Sequence, residues 1–367
     1  MPSDISPAYS NISLHEIQSS DAQKLIPLAN EVMLQQWNEN LLYWKYFQNP
    51  TGKVYGNYAE LDGHAVGSYG NIPVKIKLGD ELLMCAQAVD AMIAPQFRRQ
   101  GLFTELGRQT NQKLDQDGIA LTYTFPNPIS EAGVLKHLDW MAVGRVPRYI
   151  KMLDVDSFLE RGAHQGLKTT AYRLLLGGTK PGYRRTGSSS VKISWVNAFD
   201  IRMDCLWEQI SPDLGIAVQR DLAYLNWRYI ENPLPQYQIL IAEYGSQLAG
   251  YIVLSSRDLD NRKAVAVAEF MVLPGDQAAG SALLEEATIL VKETGCAALE
   301  CWMLPQHSFY TSVLKESGFI YSTKGYMPGL FKYTTPFIIR PHPRFQLSPD
   351  PRDIENWFLT MGDHDYY

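Results

Sequence analysis

Apolar positions along the chain fall into short alternating runs, broken by glycine, proline and turn pairs, and separated by longer stretches of helical period. Residues 54–61 and 64–72 alternate around Asp62-Gly63, which predicts two strands joined by a tight turn. Residues 238–244 and 247–255 repeat that pattern around Gly245-Ser246. Helical spacing covers 22–36 and 201–209. A second helix carries Trp44-Lys45-Tyr46 in one place and Trp227-Arg228-Tyr229 in another; each stops at an Asn-Pro pair, because proline cannot continue a helix. Aromatic residues at this spacing read as core.

These recurrences are one internal repeat. Trp44 and Trp227 stand 183 residues apart, and the same offset links Ala59-Glu60 to Ala242-Glu243 and Gly67 to Gly250. From Met92 and Pro95 onward the offset is 179, linking them to Met271 and Pro274, Gly101 to Gly280, and Leu135-Lys136 to Leu314-Lys315. Each copy predicts an opening strand (12–17; 191–196), the two helices, the hairpin and a strand ending at Pro95 or Pro274. Each then predicts a helix just after Gly101 or Gly280, a strand (120–125; 297–303), a helix (130–138; 308–317) and a last strand. Mixed elements in this order predict an α/β (α+β) fold in two tandem domains. The expected divisions are 1–153, a connecting helix and linker over 154–190 with its Gly- and Ser-rich end at 177–190, a second domain over 191–335, and a tail over 336–367. That tail is expected to pack on the body through Phe337, Phe345, Trp357 and Phe358.

Composition narrows the function classes. The 367 residues are 46% hydrophobic and 20% charged, enough apolar surface to fold, and with a net charge of −6 no general attraction to nucleic acid or anionic membrane is expected. No apolar run approaches the roughly 18 residues that cross a bilayer, and residues 1–20 lack the basic-then-apolar pattern of a secretory signal. Cys85, Cys205, Cys296 and Cys301 form no CxxC and sit in apolar or strand-like stretches, which predicts buried reduced thiols. The histidines show no metal-binding spacing. The expectation is a soluble, cytoplasmic, metal-free protein.

The chemistry concentrates in residues 89–106. A buried strand runs into the basic turn Arg98-Arg99-Gln100-Gly101, which opens an amphipathic helix. Free N–H groups at a helix N-terminus and the helix dipole both favour an anion there. Gly101 permits close backbone approach, and Arg98 and Arg99 supply the positive charge that the chain as a whole lacks.

Arg98-Arg99-Gln100-Gly101-Leu102-Phe103 resembles the Arg/Gln-x-x-Gly-x-Gly/Ala signature of the GNAT superfamily of acyltransferases, departing from it at Phe103, where a small residue is usual. The order of elements in both copies also resembles that family, each domain having a mixed, mostly antiparallel central sheet flanked by helices. The resemblance implies acetyl-CoA or another acyl-CoA as cofactor. It implies a pyrophosphate held at Arg98, Arg99, Gln100, Gly101, Leu102, Phe103 and Thr104, and a pantetheine arm paired with the strand end at Met92, Ile93 and Ala94. The thioester would lie between that strand and the one ending at residues 125–127, where a small-molecule amine attacks it directly. The family's tyrosine acid would stand at Leu135, and at Leu314 in the second copy; both are leucine. Asp90, whose counterpart is Glu269, is a candidate for proton transfer or for a structural role. Tyr123 and Asn127 are nearby candidates, as is His137, against the plainer readings of packed aromatic, strand-end cap and surface histidine.

The second copy reads Pro274-Gly275-Asp276-Gln277-Ala278-Ala279-Gly280 at the matching place, with no arginine and a misplaced negative charge. It is expected to keep the fold without the cofactor, with Gly280 still at the turn. The segment Trp357-Phe358-Leu359-Thr360-Met361-Gly362-Asp363 resembles tails of long tandem family members, which suggests an amino sugar as acceptor. Competing readings are a non-catalytic acyl-CoA sensor or assembly subunit, motivated by the missing tyrosine, and a tandem aminoacyl transferase of the peptidoglycan-bridge type. The acidic balance and the retained arginines count against the last.

Overall fold

A computed structural model describes residues 11–33, 36–154, 191–234, 237–255, 264–321 and 334–365. The 154–190 connection therefore lies almost wholly outside the described residues. The first repeat runs β1 (Ser13–Glu16), α1 (Ala22–Val32), α2 (Glu39–Tyr46), β2 (Tyr55–Leu61), β3 (His64–Leu78), β4 (Glu81–Ile93), α3 (Leu102–Gln116), β5 (Leu121–Thr124), α4 (Pro128–His137), β6 (Met141–Val146) and β7 (Arg148–Met152). The second runs β8 (Val191–Val196), α5 (Arg202–Ile210), β9 (Ile216–Val218), α6 (Leu222–Leu225), β10 (Tyr237–Tyr244), β11 (Gln247–Ser255), β12 (Ala264–Val272), α7 (Gln277–Glu293), β13 (Ala298–Trp302), α8 (Ser308–Glu316) and β14 (Ile320–Tyr321). A tail strand, β15 (Thr335–Pro341), follows.

The strands form two mixed sheets flanked by helices. Their order is β1-β2-β3-β4-β5-β15-β6 in the first, with β9 added to β3, and β14-β7-β13-β12-β11-β10-β8 in the second. Among the described strands only the β4–β5 and β12–β13 pairs are parallel, the expected consequence of joining each pair through a long crossover helix. Each sheet takes a strand from the other half of the sequence. The tail strand β15 lies between β5 and β6, while β7 crosses to the second sheet and lies between β13 and β14. Neither repeat has a complete sheet by itself, and one continuous apolar core contains residues of both.

A pseudo-twofold relation is visible where α2 meets the π-helical turn (Asn226–Ile230) that continues α6. Trp44 and Trp227 stack at 5.2 Å between ring centroids. Each indole N–H donates to the other's carbonyl, Trp44 to Trp227 at 2.7 Å and Trp227 to Trp44 at 3.0 Å. Both rings are buried, as core aromatics should be, and a stacked pair adds about 0.5–1.5 kcal/mol beyond the area it buries.

Local differences from the expected elements have plain causes. β3 runs on to Leu78 because Val74, Ile76 and Leu78 keep alternating inward, and β9 covers that extension through the Ile76–Val218 to Leu78–Ile216 register. Among the cysteines, Cys85 and Cys301 are buried, but Cys205 is exposed. It lies on the outer face of α5, whose inward face is Met203, Leu206, Trp207 and Ile210. All four thiols are free. Among the described residues no helix is long and apolar enough to cross a membrane, and no cluster of metal-ligating side chains occurs.

Candidate functional site

The site begins with a separation of two strands. β4 and β5 pair only at Ala86–Thr122 and Gln87–Tyr123. Beyond this β4 runs on to Ile93 without a β5 partner, and the Thr124 hydroxyl donates to the Ala88 carbonyl at 3.0 Å, at the apex of the fork. The β3–β4 register shifts between Ser68 and Gly70, a bulge with Asp90 in the left-handed region (φ 51°). A bulge bends its strand, so it turns β4 away from β5 at this point. Aspartate is among the few non-glycine residues that enter that region at modest cost.

Past the end of β4 the chain makes the basic turn. Arg99 (φ 63°) and Gly101 (φ 82°) are both left-handed, and Gly101 is the N-cap of α3 with no side chain to cap the helix. The first α3 N–H to find an acceptor in the chain is that of Glu105, on the Gly101 carbonyl at 3.0 Å. The amides of Leu102, Phe103 and Thr104 thus face outward at the positive end of the helix dipole, a donor set that fits a phosphate or pyrophosphate. Arg98 is folded so that its Nε donates to the Ile93 carbonyl at 3.1 Å, and Gln100 Nε2 donates to the Gln96 carbonyl at 2.9 Å. The aromatic ring of Phe103 packs edge-on to Tyr69 and against Gly133, where a Cβ would meet it at 2.9 Å. The bulky side chain therefore points into the fold and leaves the backbone at this position accessible. The Ala94 N–H is directed back to β3, donating to Val66 at 3.0 Å, while Met92 and Ile93 lie on the part of β4 that has no β5 partner.

The fork between β4 and β5 is closed at its base by the carboxyl-terminal tail. The Asp363 carbonyl accepts from Gln87 Nε2 at 2.7 Å and from the Tyr123 hydroxyl at 3.5 Å. His364 stacks on Phe125, just past the end of β5, at 5.4 Å and 20°. Asp365 Oδ2 lies 2.9 Å from Lys45 Nζ, which lies 2.8 Å from Asp90 Oδ1. The Tyr46 hydroxyl donates to Asp90 Oδ2 at 3.1 Å. Burial pushes the Asp90 carboxyl up, against the pull of the Lys45 ammonium. Burial also opposes ionisation of Asp365, but Lys45 and His364 outweigh it and hold that carboxyl well below the usual carboxylate range. Burial, reinforced by the Asp363 charge, pushes the Tyr123 phenol well above its ordinary value.

The candidates are thus placed as follows. Asp90 is buried in an ion pair on β4, and Tyr123 is buried beneath the tail. Asn127 is the N-cap of α4, its Oδ1 accepting from the Ile129 and Ser130 amides at 3.0 and 2.9 Å. His137 and Leu135 lie exposed on α4. The residues brought into the fork that sequence reasoning did not single out are Lys45, His364 and Asp365.

The second repeat has the same framework with every opening closed. α7 begins at Gln277, four residues before the position equivalent to Leu102, so Gly280 lies inside the helix rather than at the turn. The turn glycine is Gly275 (φ 79°), and Asp276 caps the helix, its Oδ1 accepting from the Ala279 N–H at 2.9 Å. An extra helical turn and a carboxylate thus occupy the place of the open loop. The Tyr310 hydroxyl donates to the Val272 carbonyl at 3.2 Å and accepts its N–H at 3.3 Å, satisfying the strand edge where β12 leaves β13. Phe358, Met361 and Gly362 of the tail fill the space beside β12. A Cβ on Gly362 would lie 2.6 Å from Glu269 Oε1 and closer still to the Tyr229 hydroxyl. Glu269 accepts from Tyr229 at 2.8 Å, as Asp90 does from Tyr46.

Residues 13–143 match the family described as Acetyltransferase (GNAT) domain. No curated protein matches the chain in sequence. Among solved structures, the chain is similar to a GCN5-related N-acetyltransferase from Anabaena variabilis ATCC 29413, with 11% identity and a TM-score of 0.61 over 90% of this chain and 73% of that one. A probable N-acyltransferase from Enterococcus faecalis V583 is similar at 11% identity and a TM-score of 0.59, with the same coverage of both chains. Saccharomyces cerevisiae N-myristoyltransferase with bound myristoyl-CoA is similar at 13% identity and a TM-score of 0.58, over 91% of this chain and 84% of that one.

Proposed function

We propose that this chain is a member of the GNAT superfamily, whose acetyltransferase domain model matches residues 13–143, and that it is an acyl-CoA-dependent N-acyltransferase using the first repeat alone. The observation that carries the reading is the uncapped start of α3 beside the β4–β5 fork, set against the Asp276-capped start of α7. The cofactor is acetyl-CoA and the acceptor is the amine of a cytoplasmic small molecule, amino sugars included.

The amides of Leu102, Phe103 and Thr104, with Arg98 and Arg99, hold the pyrophosphate. The edge of β4 at Met92 and Ile93 takes the pantetheine as an added strand. When bound, the cofactor supplies an acyl group activated as a thioester. The chain's contribution is orientation: the fork fixes where the acyl carbon lies, and the tail beneath it excludes water from one side. Placing two reactants in register supplies much of the rate in such transfers. Asp90, Tyr123 and Asn127 support the site's structure in this reading. Asp90 anchors Lys45, Tyr123 holds the Asp363 carbonyl, and Asn127 starts α4.

Thermal denaturation with and without CoA or acetyl-CoA tests the proposal. Both are expected to raise the midpoint, and the double variant Arg98→Glu with Gly101→Trp is expected to lose the response while remaining folded. A wild-type protein indifferent to both compounds overturns the reading.

A further inference from the structure

We propose that the tail forms the floor of the acyl pocket, so that the first repeat's fork takes short acyl thioesters and rejects long ones, with Gln87 and Tyr123 as the residues that set the limit. This rests on the acyl-CoA reading above. It also gives the second repeat a task, since that repeat anchors the floor.

The length of open strand comes first. The part of β4 without a β5 partner, Ala88 to Ile93, spans about 16 Å at the rise of a strand. A pantetheine arm is nearly as long, with the chain atoms of about four residues. Laid along β4 from Ile93, it would bring the acyl carbon to within about 3 Å of the apex, the room of about two or three carbons.

The apex is closed in the plane of the sheet and on both faces. In the plane, the Thr124 hydroxyl donates to the Ala88 carbonyl at 3.0 Å. On one face, Gln87 and Tyr123 stand side by side as a cross-strand pair, and the Asp363 carbonyl accepts from both, at 2.7 and 3.5 Å. The Tyr123 ring is buried, with Phe125, Phe337 and Trp357 at 6.0, 6.2 and 6.4 Å between centroids. Asp363 is held in place by the second repeat and by the tail itself. Its carboxylate lies 2.7 Å from Arg220 and accepts from the Thr360 amide at 2.8 Å.

The opposite face is polar. Asn71 stands beside Ala88 in the β3–β4 register, on the side that α3 covers. Its side chain is fully buried, and neither amide atom has a partner among the described residues. A buried amide needs a water or another polar group. An alkyl chain turned toward α3 would take that place and leave the amide unsatisfied, which costs more than the contact returns. A chain longer than the gap therefore has no apolar channel to enter at the apex.

Calorimetric titration of the full chain with CoA, acetyl-CoA, butyryl-CoA and octanoyl-CoA tests the limit without turnover and without knowledge of the acceptor. An open apolar channel would raise affinity about fourfold per added carbon, the effect of burying one methylene. The expected result is instead affinities for CoA and acetyl-CoA within about threefold of each other, and a loss of at least about tenfold by octanoyl-CoA, as overpacking requires. Affinity that stays level or rises to octanoyl-CoA, in protein that binds CoA, overturns the inference and leaves the acyl-CoA reading intact. Protein that binds none of the four overturns that reading as well. Gln87→Ala removes the side chain that holds the floor and is expected to shrink the octanoyl-CoA loss to under about threefold, because truncation leaves space beside Asp363. Tyr123→Leu keeps the core apolar and is expected to act in the same direction, with the thermal midpoint as the check on folding. An octanoyl-CoA loss that is unchanged in both variants, with CoA binding retained, overturns the tail as its cause.

Discussion

The two repeats solve one structural problem in opposite ways. In each, a bulged strand parts from its parallel neighbour and leaves a gap in the sheet. In the second repeat the chain fills that gap itself: Phe358, Met361 and Gly362 lie against β12, Tyr310 satisfies the Val272 edge, and Asp276 caps α7. In the first, the tail closes only the base, and the edge of β4 and the start of α3 stay open. Buried backbone groups need partners, so the difference lies in which groups supply them: the chain itself at β12 and α7, and none of its side chains at the start of α3. The duplicated fold thus separates two jobs. On the proposed reading one copy holds the cofactor, and the other holds the tail that closes the base of that copy's fork.

If the tail is an integral strut, breaking its anchor has the largest effect on stability. Arg220, almost wholly buried, lies 2.7 Å from Asp363 and 3.5 Å from Glu269. Asp363→Ala removes the nearer of the two carboxylates and leaves Glu269, at 3.5 Å, and breaking a buried ion pair by deleting one partner costs about 3–5 kcal/mol. Denaturant unfolding is expected to register a loss of this size, in a single transition, because each sheet contains a strand from the other half. A loss under about 1 kcal/mol would show that the tail is an accessory, and the contrast between the repeats would lose its cause.

Gly362→Val comes next. The added side chain runs into the Tyr229 hydroxyl, Glu269 and the Ala268 carbonyl, so the tail must shift off β12. Overpacking of this kind costs about 1–3 kcal/mol. Asp363, whose carbonyl accepts from both sides of the fork, follows directly in the chain, so kcat is expected to fall with stability, while CoA affinity, set at α3, stays near wild type. Calorimetric titration with CoA beside turnover separates the two. Equal losses in both would mean that the filled and open gaps do not act independently.

Much of this contrast can be read along the chain, and its limits have physical causes. The repeat is visible because strand, turn and helix periods recur in register, and the Trp44 and Trp227 pair at the centre of that register is buried as expected. The turn at Arg98 to Gly101 is visible because glycine and arginine carry distinct roles there. The exchange of β7 and β15 is not visible: short alternating strands carry no mark of which sheet they join. Gly280 misled because an aligned glycine need not be a turn; Gly275 followed by Asp276 is the better signal, a left-handed glycine before a helix cap. The His364–Asp365 pair escaped because Lys45 and Asp365 stand 320 positions apart. The only hint was a tail richer in buried aromatics than a linker needs.

The smallest expected effect sharpens the comparison most. Asp276→Ala removes the α7 cap, its bond to the Ala279 amide and the hydrogen bond from the Tyr244 hydroxyl. Loss of an N-cap costs about 1 kcal/mol. The substitution also uncovers helix amides like those left open at α3, so it restores one ingredient of an anion site to the second repeat. The cofactor needs more than that ingredient. The β12 edge is still bonded to Tyr310, and the gap still holds Phe358 and Gly362. CoA stoichiometry by calorimetry is therefore expected to stay at one per chain. A second equivalent in Asp276→Ala would mean that the cap alone excluded the cofactor, and that the tail's filling of the gap gives way when a ligand competes for it.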